Sequence, residues 1–506
     1  MRKEISRLAE LDREHVLVSH IGAVLGWDQE TYMPEAAVEE RAEQLALLEG
    51  LAHERLTRPE IGDLLGALGS TPQNPMGDSA LSPEERAYLR SLRRAYDQAT
   101  RLPADLVTDL ARTVALAQPA WVEARARNDF PAFAPHLERI IALQKRKAAC
   151  LDPGKPPYDV FLDLYEPGST EAGIAKVFGD LRAELVALLG KIRSRPQVDA
   201  SFLSRPCPVE RQARMSGWIM DLLAFDRRRG RLDTTAHPFT STLGGDDIRI
   251  TTRYLEGNFA SSVFSTIHET GHALYEMGMD PSPQFRRTKL SEPTSMAIHE
   301  SQSRLWENIV GRSEAFWSPN YARLQDLAGD VLAGVPLEAF MKAINRVEPS
   351  FIRTEADEVT YSLHVILRFE IEGDLISGRL AVKDVPAAWN AKMEELLGVL
   401  PPNDAQGCLQ DVHWSCGLFG YFPSYALGNL YAAQLWDRMR ETLPDVDTTI
   451  RRGDVTSVRE WLREKIHRQG STWLPGELIE RATGFPLDAR HFVAYLNAKY
   501  AKVYGF

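Results

Sequence analysis

Cysteine is scarce. Four cysteines in 506 residues, Cys150, Cys207, Cys408 and Cys416, are too scattered for a disulfide framework and form no CxxC pair. A reducing cytoplasm is the expected location. Basic charge is also short: 59 Lys and Arg against 70 Asp and Glu give a net charge of -11, without the cationic surplus that phosphate neutralisation needs. Nucleic acid is therefore not an expected partner. The first residues, MRKEISRLAELDREH, interleave acids and bases and contain no apolar run of the kind that forms a secretory signal. Long uncharged stretches are rare, and the one from Val412 to Trp436 lacks Lys, Arg, Asp and Glu. It contains His413, Gly417, Gly420, Pro423, Gly428, Asn429 and Gln434, which marks a buried element and a cavity wall, not a membrane span.

What is present is the composition of a globular protein, 44% hydrophobic and 25% charged. The length prior allows about three domains, although large single-cavity enzymes exceed it. Helical periodicity dominates, so the expected class is mainly α. Residues 1–66 read as two or three helices broken at WDQETYMPE, and 69–83 as a linker-like surface loop before helices resume at Pro83. One hairpin is expected within 237–254, two extended segments flanking Gly244-Gly245-Asp246-Asp247.

The chemistry concentrates at His268-Glu269-Thr270-Gly271-His272. Four residues apart on a helix, the two histidines stand about 40° apart and one turn above each other, so both imidazoles can meet one ion. Glu269 sits where it can reach a water beside that ion without ligating it. This is the HExxH pattern of zinc peptidases. A catalytic zinc takes three protein ligands and keeps one open position. Periodicity leaves Glu300, Glu292 and Glu307 as alternatives for the third. A competing reading comes from Glu269-x-x-His272 and Glu464-x-x-His467, which match the Glu-x-x-His element of di-iron proteins. It is disfavoured because Val458, Trp461, Leu462 and Ile466 define the buried stripe of the second helix, which assigns Glu464 and His467 to a solvated face.

Several motifs in order along the chain resemble the thermostable carboxypeptidase family of the Taq type. They are Trp27-Asp-Gln-Glu-Thr-Tyr-Met-Pro34, DxRxT at 247–251, HExxH at 268–272, HESQ at 299–302, IRxxADExT at 352–360 and GxxQDxHW at 407–414. The resemblance implies a large helical zincin-type fold with a long substrate groove and a small sheet or hairpin beside the HExxH helix, with 1–506 as a single catalytic domain. It implies a zinc metallocarboxypeptidase of broad specificity, a homodimer, taking one Zn2+ per chain with another divalent ion such as Co2+ as an alternative. His268, His272 and Glu300 become the metal ligands and Glu269 the general base. Arg353 matches the arginine for the terminal carboxylate of a peptide, and Arg249 is second choice for that role. His413 matches a substrate-contacting histidine, while Tyr421 or Tyr425 would supply a phenolic donor.

Bland readings stand beside these. Arg249 with Asp247 makes a strand pair, Arg353 with Glu355, Asp357 and Glu358 a helix-surface cluster, and His413 a core histidine. The enzyme alternative is an oligopeptidase cutting internal bonds, and the non-enzyme alternative is an inactive peptide-binding groove. A carboxylate supporting a ligand histidine is expected, and since position 304 is Arg it must come from elsewhere.

Overall fold

The computed structural model describes residues 2–506 and is predominantly helical. The N-terminal part forms helices Lys3–Thr31, Val38–Leu56 and Pro59–Ala67, with the break at Tyr32–Pro34 inside the expected motif. Proline at 34 lacks an N–H and ends the helical run. The 69–83 loop is tied down: Asp78 N–H donates to Leu68 O at 2.9 Å, and Ser82 and Glu85 form a capping box that starts the helix Pro83–Thr100. Ile5, Leu8, Ile61, Leu65 and Tyr88 build a satellite core here, separate from the main one.

The expected hairpin is present as β2 (Thr240–Gly244) and β3 (Asp247–Thr252), paired antiparallel. A further strand, β1 (Gly230–Thr234), runs parallel to β3 and gives the order β1-β3-β2. GRLDT has no apolar alternation, so periodicity does not reveal it. Ile248 and Ile250 of β3 pack with Met220, Phe225 and Ala273, which fastens the sheet to the HExxH helix.

Two helices cross the main core almost wholly buried, Glu358–Ser377 and Pro423–Thr442. The uncharged stretch 412–436 is an irregular wall followed by the first part of the second helix. No helix among the described residues is long and apolar enough to cross a membrane.

Candidate metal centre and peptide cleft

The HExxH helix spans Phe259–Gly278 and is capped by Asn258, whose side chain accepts the Ser261 N–H. Val263, Ile267 and Leu274 anchor it in the core, and His268, Glu269 and His272 face a cleft of about 1100 Å³. The helix carrying Glu300 spans Met296–Arg304 and starts at Ser295, whose Oγ accepts the Ile298 N–H at 3.1 Å. Ser291 and Pro293 precede it, because a 3-10 turn at Lys289–Ser291 intervenes. Close approach is made possible by two glycines. A Cβ on Gly271 would lie 2.8 Å from Ser303 Cα, and one on Gly428 would lie 2.6 Å from Glu300 Cγ. The small residue inside HETGH and the glycine of the wall helix thus let the helices meet around Glu300.

His272 Nε2 lies 3.4 Å and His268 Nε2 3.8 Å from Glu300 Oε2. All three candidate ligand atoms fall within 4.8 Å of one another. The other ring nitrogens are already engaged, which assigns the tautomers. His268 Nδ1–H donates to Glu307 Oε2 at 2.8 Å. His299 Nε2–H donates to Glu276 Oε1 at 2.9 Å, so His299 Nδ1 is left to accept from His272 Nδ1–H. Both Nε2 lone pairs therefore point at the same space. Arg304 Nε donates to Glu300 Oε1 at 2.7 Å and leaves Oε2 turned toward the histidines. Two imidazoles and one carboxylate, open on the cleft side, are a donor set that fits a catalytic divalent ion.

The electrostatics set the two histidines apart: burial disfavours the charged form of His268, but Glu300 and Glu307 outweigh it and raise this imidazole. Burial, reinforced by neighbouring His299, pushes His272 down to about 3, so it is neutral at ordinary pH. Burial opposes the charge on Glu300, yet Arg304 and the two histidines outweigh it and hold this carboxyl far below the usual range. Glu269 shifts the other way, raised chiefly by burial, although His268 and the Thr240 hydroxyl favour its charge. That hydroxyl donates to Glu269 Oε2 at 2.6 Å.

The rivals for the third ligand have other partners. Glu292 pairs with Lys289 at 2.8 Å. Glu307 orients His268 and is also reached by Arg304 and Arg312 at 3.4 and 3.3 Å. A π-helical turn at Leu305–Val310 carries it, and this widened turn swings Glu307 under the histidine. Glu307 and, through His299, Glu276 are the supporting carboxylates that position 304 could not supply. Glu307→Gln is expected to weaken metal binding about 10- to 100-fold, measured by chelator competition.

One sequence expectation is corrected at His467. Glu464 is exposed and paired with Arg468, but His467 is buried and bonded to Gln302 Oε1 at 2.9 Å. The helix ends at Lys465, and the 3-10 turn at His467–Gln469 turns the imidazole inward, so helical spacing no longer applies there. The pair cannot form a Glu-x-x-His site.

Further along the cleft, Arg353 is buried and is not part of a helix-surface cluster. Its Nε and one terminal nitrogen donate to Asp411 Oδ1 at 3.1 and 2.8 Å, and the other terminal nitrogen to the Tyr361 hydroxyl at 3.0 Å. Asp357 instead caps the helix that follows, accepting from Val359 and Thr360. Tyr421 and Tyr425 line the same wall, and the Tyr425 ring lies 4.8 Å from the Arg353 guanidinium. His413 is buried behind them, its Nε2 3.4 Å from the Tyr425 hydroxyl and its ring 4.3 Å from Phe422. Burial and the nearby arginines push it down to about 4. Arg249 departs from expectation. It is not among the cleft-lining residues; both its Nε and a terminal nitrogen bind Asp247, and its guanidinium lies 4.4 Å over Trp27. The DxRxT and WDQETYMP motifs thus meet each other, and this contact fastens the first helix to the sheet.

The sequence matches the model of the carboxypeptidase Taq (M32) metallopeptidase family over residues 7–500. It is 43% identical over 510 residues to thermostable carboxypeptidase 1 of Thermus thermophilus, covering 98% of each chain. Against carboxypeptidase 1 of Bacillus subtilis the identity is 38% over 483 residues, 95% of each chain. The fold superposes on the crystal structure of the M32 carboxypeptidase from Deinococcus radiodurans with a TM-score of 0.96, at 41% identity and full coverage of both chains. A chain matched almost end to end in sequence and fold, and bearing this donor set in its cleft, belongs to the carboxypeptidase Taq (M32) family and is a metallocarboxypeptidase.

Proposed function

We propose that the ion is zinc, held by His268, His272 and Glu300, and that Glu269 is the general base of C-terminal residue release. The observation that carries this is the convergence of two Nε2 atoms and Glu300 Oε2 beside a buried carboxylate in one cleft. When bound, a divalent ion there polarises the scissile carbonyl and acidifies water. Glu269 accepts the proton of the attacking water and passes it to the leaving amine. The Thr240 hydroxyl holds one Glu269 oxygen and leaves the other to take the proton. Arg353 receives the terminal carboxylate with a planar fork, with His413 behind it as a neutral neighbour. A phenol from the Tyr421 and Tyr425 pair donates to the oxyanion as it forms.

The whole chain acts as one catalytic unit, a reading supported by a cleft whose lining runs from Leu203 to Tyr500. Four free cysteines fit a reducing, cytoplasmic setting. Homodimer formation is supported by exposed Leu17, Ile21 and Val24 along one face of the first helix. Sedimentation at two concentrations tests it, and a chain that stays monomeric would refute it.

The exopeptidase geometry is tested with one peptide in free-acid and C-terminally amidated forms. Loss of a charge-assisted contact worth about 1.5 to 3 kcal/mol lowers kcat/KM for the amide about 10- to 150-fold. Arg353→Ala should narrow that gap. Equal cleavage of both forms by the native enzyme would remove Arg353 from recognition.

A further inference from the structure

Arg353 shares its carboxylate with a second arginine. Asp411 Oδ1 accepts from Arg353, and Asp411 Oδ2 accepts from Nε of Arg368 at 2.6 Å. Arg368, from the buried helix Glu358–Ser377, has no exposed surface. Its two terminal nitrogens donate to His364 O at 2.7 Å and to Gln410 Oε1 at 2.8 Å. Gln410 Oε1 also accepts the Arg353 backbone N–H at 2.8 Å, so one amide ties both arginines into a single frame. The Arg368 guanidinium is stacked 4.6 Å from Trp389 and is not among the cleft-lining groups. It cannot touch a peptide lying in the cleft.

A guanidinium this deep is costly to desolvate, and apolar residues of similar volume commonly serve a purely structural role as well. The charge balance gives it a purpose. Asp411 paired with Arg353 alone would cancel the charge meant to attract a peptide carboxylate. With Arg368 on the other oxygen, two guanidiniums share one carboxylate, and one positive charge is left without a direct partner. His413 is neutral at ordinary pH and adds none. Glu372, one turn beyond Arg368, is held by donors of its own: Trp414 Nε1, the Tyr158 hydroxyl and Gly420 N–H, at 2.9, 3.0 and 2.9 Å.

We propose that Arg368 is a positioning residue for carboxylate recognition: by holding the second oxygen of Asp411 it keeps Arg353 fixed in place and electrostatically available to the substrate. This rests on the reading of Arg353 above.

The test is steady-state kinetics on the free-acid and amidated peptide pair, with melting temperature and metal content measured for each variant. Arg368→Met should raise KM for the free acid about tenfold, the weakening of one charge-assisted contact. The change in kcat should be smaller, and the preference for free acid over amide should shrink. Adding Asp411→Asn to Arg368→Met removes the charge that now cancels Arg353, and most of the preference should return. An equal loss on both peptides, with no recovery in the double variant, would overturn the proposal and leave Arg368 a packing residue. Should Arg368→Met fail to fold, the double variant decides alone, since its one guanidinium left without a carboxylate, that of Arg353, lines the cleft and keeps the Tyr361 hydroxyl: a preference near native supports the charge account, and its loss refutes it. Arg353→Met separates the two readings. A native preference in that variant sinks the role of Arg353, whereas a lost preference there and an intact one in Arg368→Met sinks only the role of Arg368.

Discussion

Glu269→Gln should abolish turnover while the metal stays bound. The side chain stands beside the two histidines but is not one of the three groups whose ligand atoms converge. Glutamine keeps its shape and one oxygen to accept the Thr240 hydroxyl, so neither fold nor metal site should suffer. What disappears is a group able to take a proton from water and return it to the leaving amine. General-base contributions of this kind are worth about 100- to 10,000-fold. Metal stoichiometry and peptide hydrolysis measured on one preparation check both halves of the claim. Near-native activity would remove Glu269 as the base, and metal loss would mean that it supports the ion directly.

The parts of this site legible from sequence are those fixed by short-range geometry. His268 and His272 share a helix face because a helix advances 100° per residue, and no tertiary information is needed to say so. The hairpin around Gly244–Asp247 is local in the same sense, as is the helix break at Pro34. Singling out Glu300 as the candidate third ligand takes the motif resemblance, since its spacing from His272 is set by a turn, a loop and a new cap at Ser295. The role of Glu307 was hidden because a π-helical turn departs from regular periodicity where it matters. His467 misled for the complementary reason, its spacing being helical in sequence while the helix had already ended.

Charge was the least readable property. Arg353 sits among three acidic neighbours in sequence, Glu355, Asp357 and Glu358, which suggests a solvated cluster. Its actual partner is Asp411, 58 residues away. Arg249 reversed the error. Its motif suggests a group available to substrate, but its guanidinium lies over Trp27, outside the cleft lining. Only the tertiary fold decides which arginine reaches the cleft. One sequence feature did anticipate the environment, the uncharged glycine-rich wall from Val412. One of its glycines, Gly428, presses against Glu300 itself.

Glu300→Ala should lose metal and activity together, because two histidines leave a catalytic ion short of its third protein ligand. The alanine change also strips Arg304 of its closest carboxylate, 2.7 Å away, and leaves it only the longer contact to Glu307 at 3.4 Å, which destabilises the fold locally. Loss of metal could then follow from local unfolding. Glu300→Gln separates the two causes: the amide oxygen can still accept from Arg304, while the anionic ligand is gone. If Glu300 is the third ligand, the glutamine variant should stay folded, bind the ion far more weakly and hydrolyse peptides poorly. Tight stoichiometric metal in both variants would transfer the ligand role to another carboxylate. Glu307 could assume it only by releasing His268, whose Nδ1 it accepts from at 2.8 Å. Such a rearrangement would make Glu307→Gln as damaging as Glu300→Gln. With Glu300 as ligand, the glutamine change at 307 costs metal affinity alone, and the one at 300 costs the site.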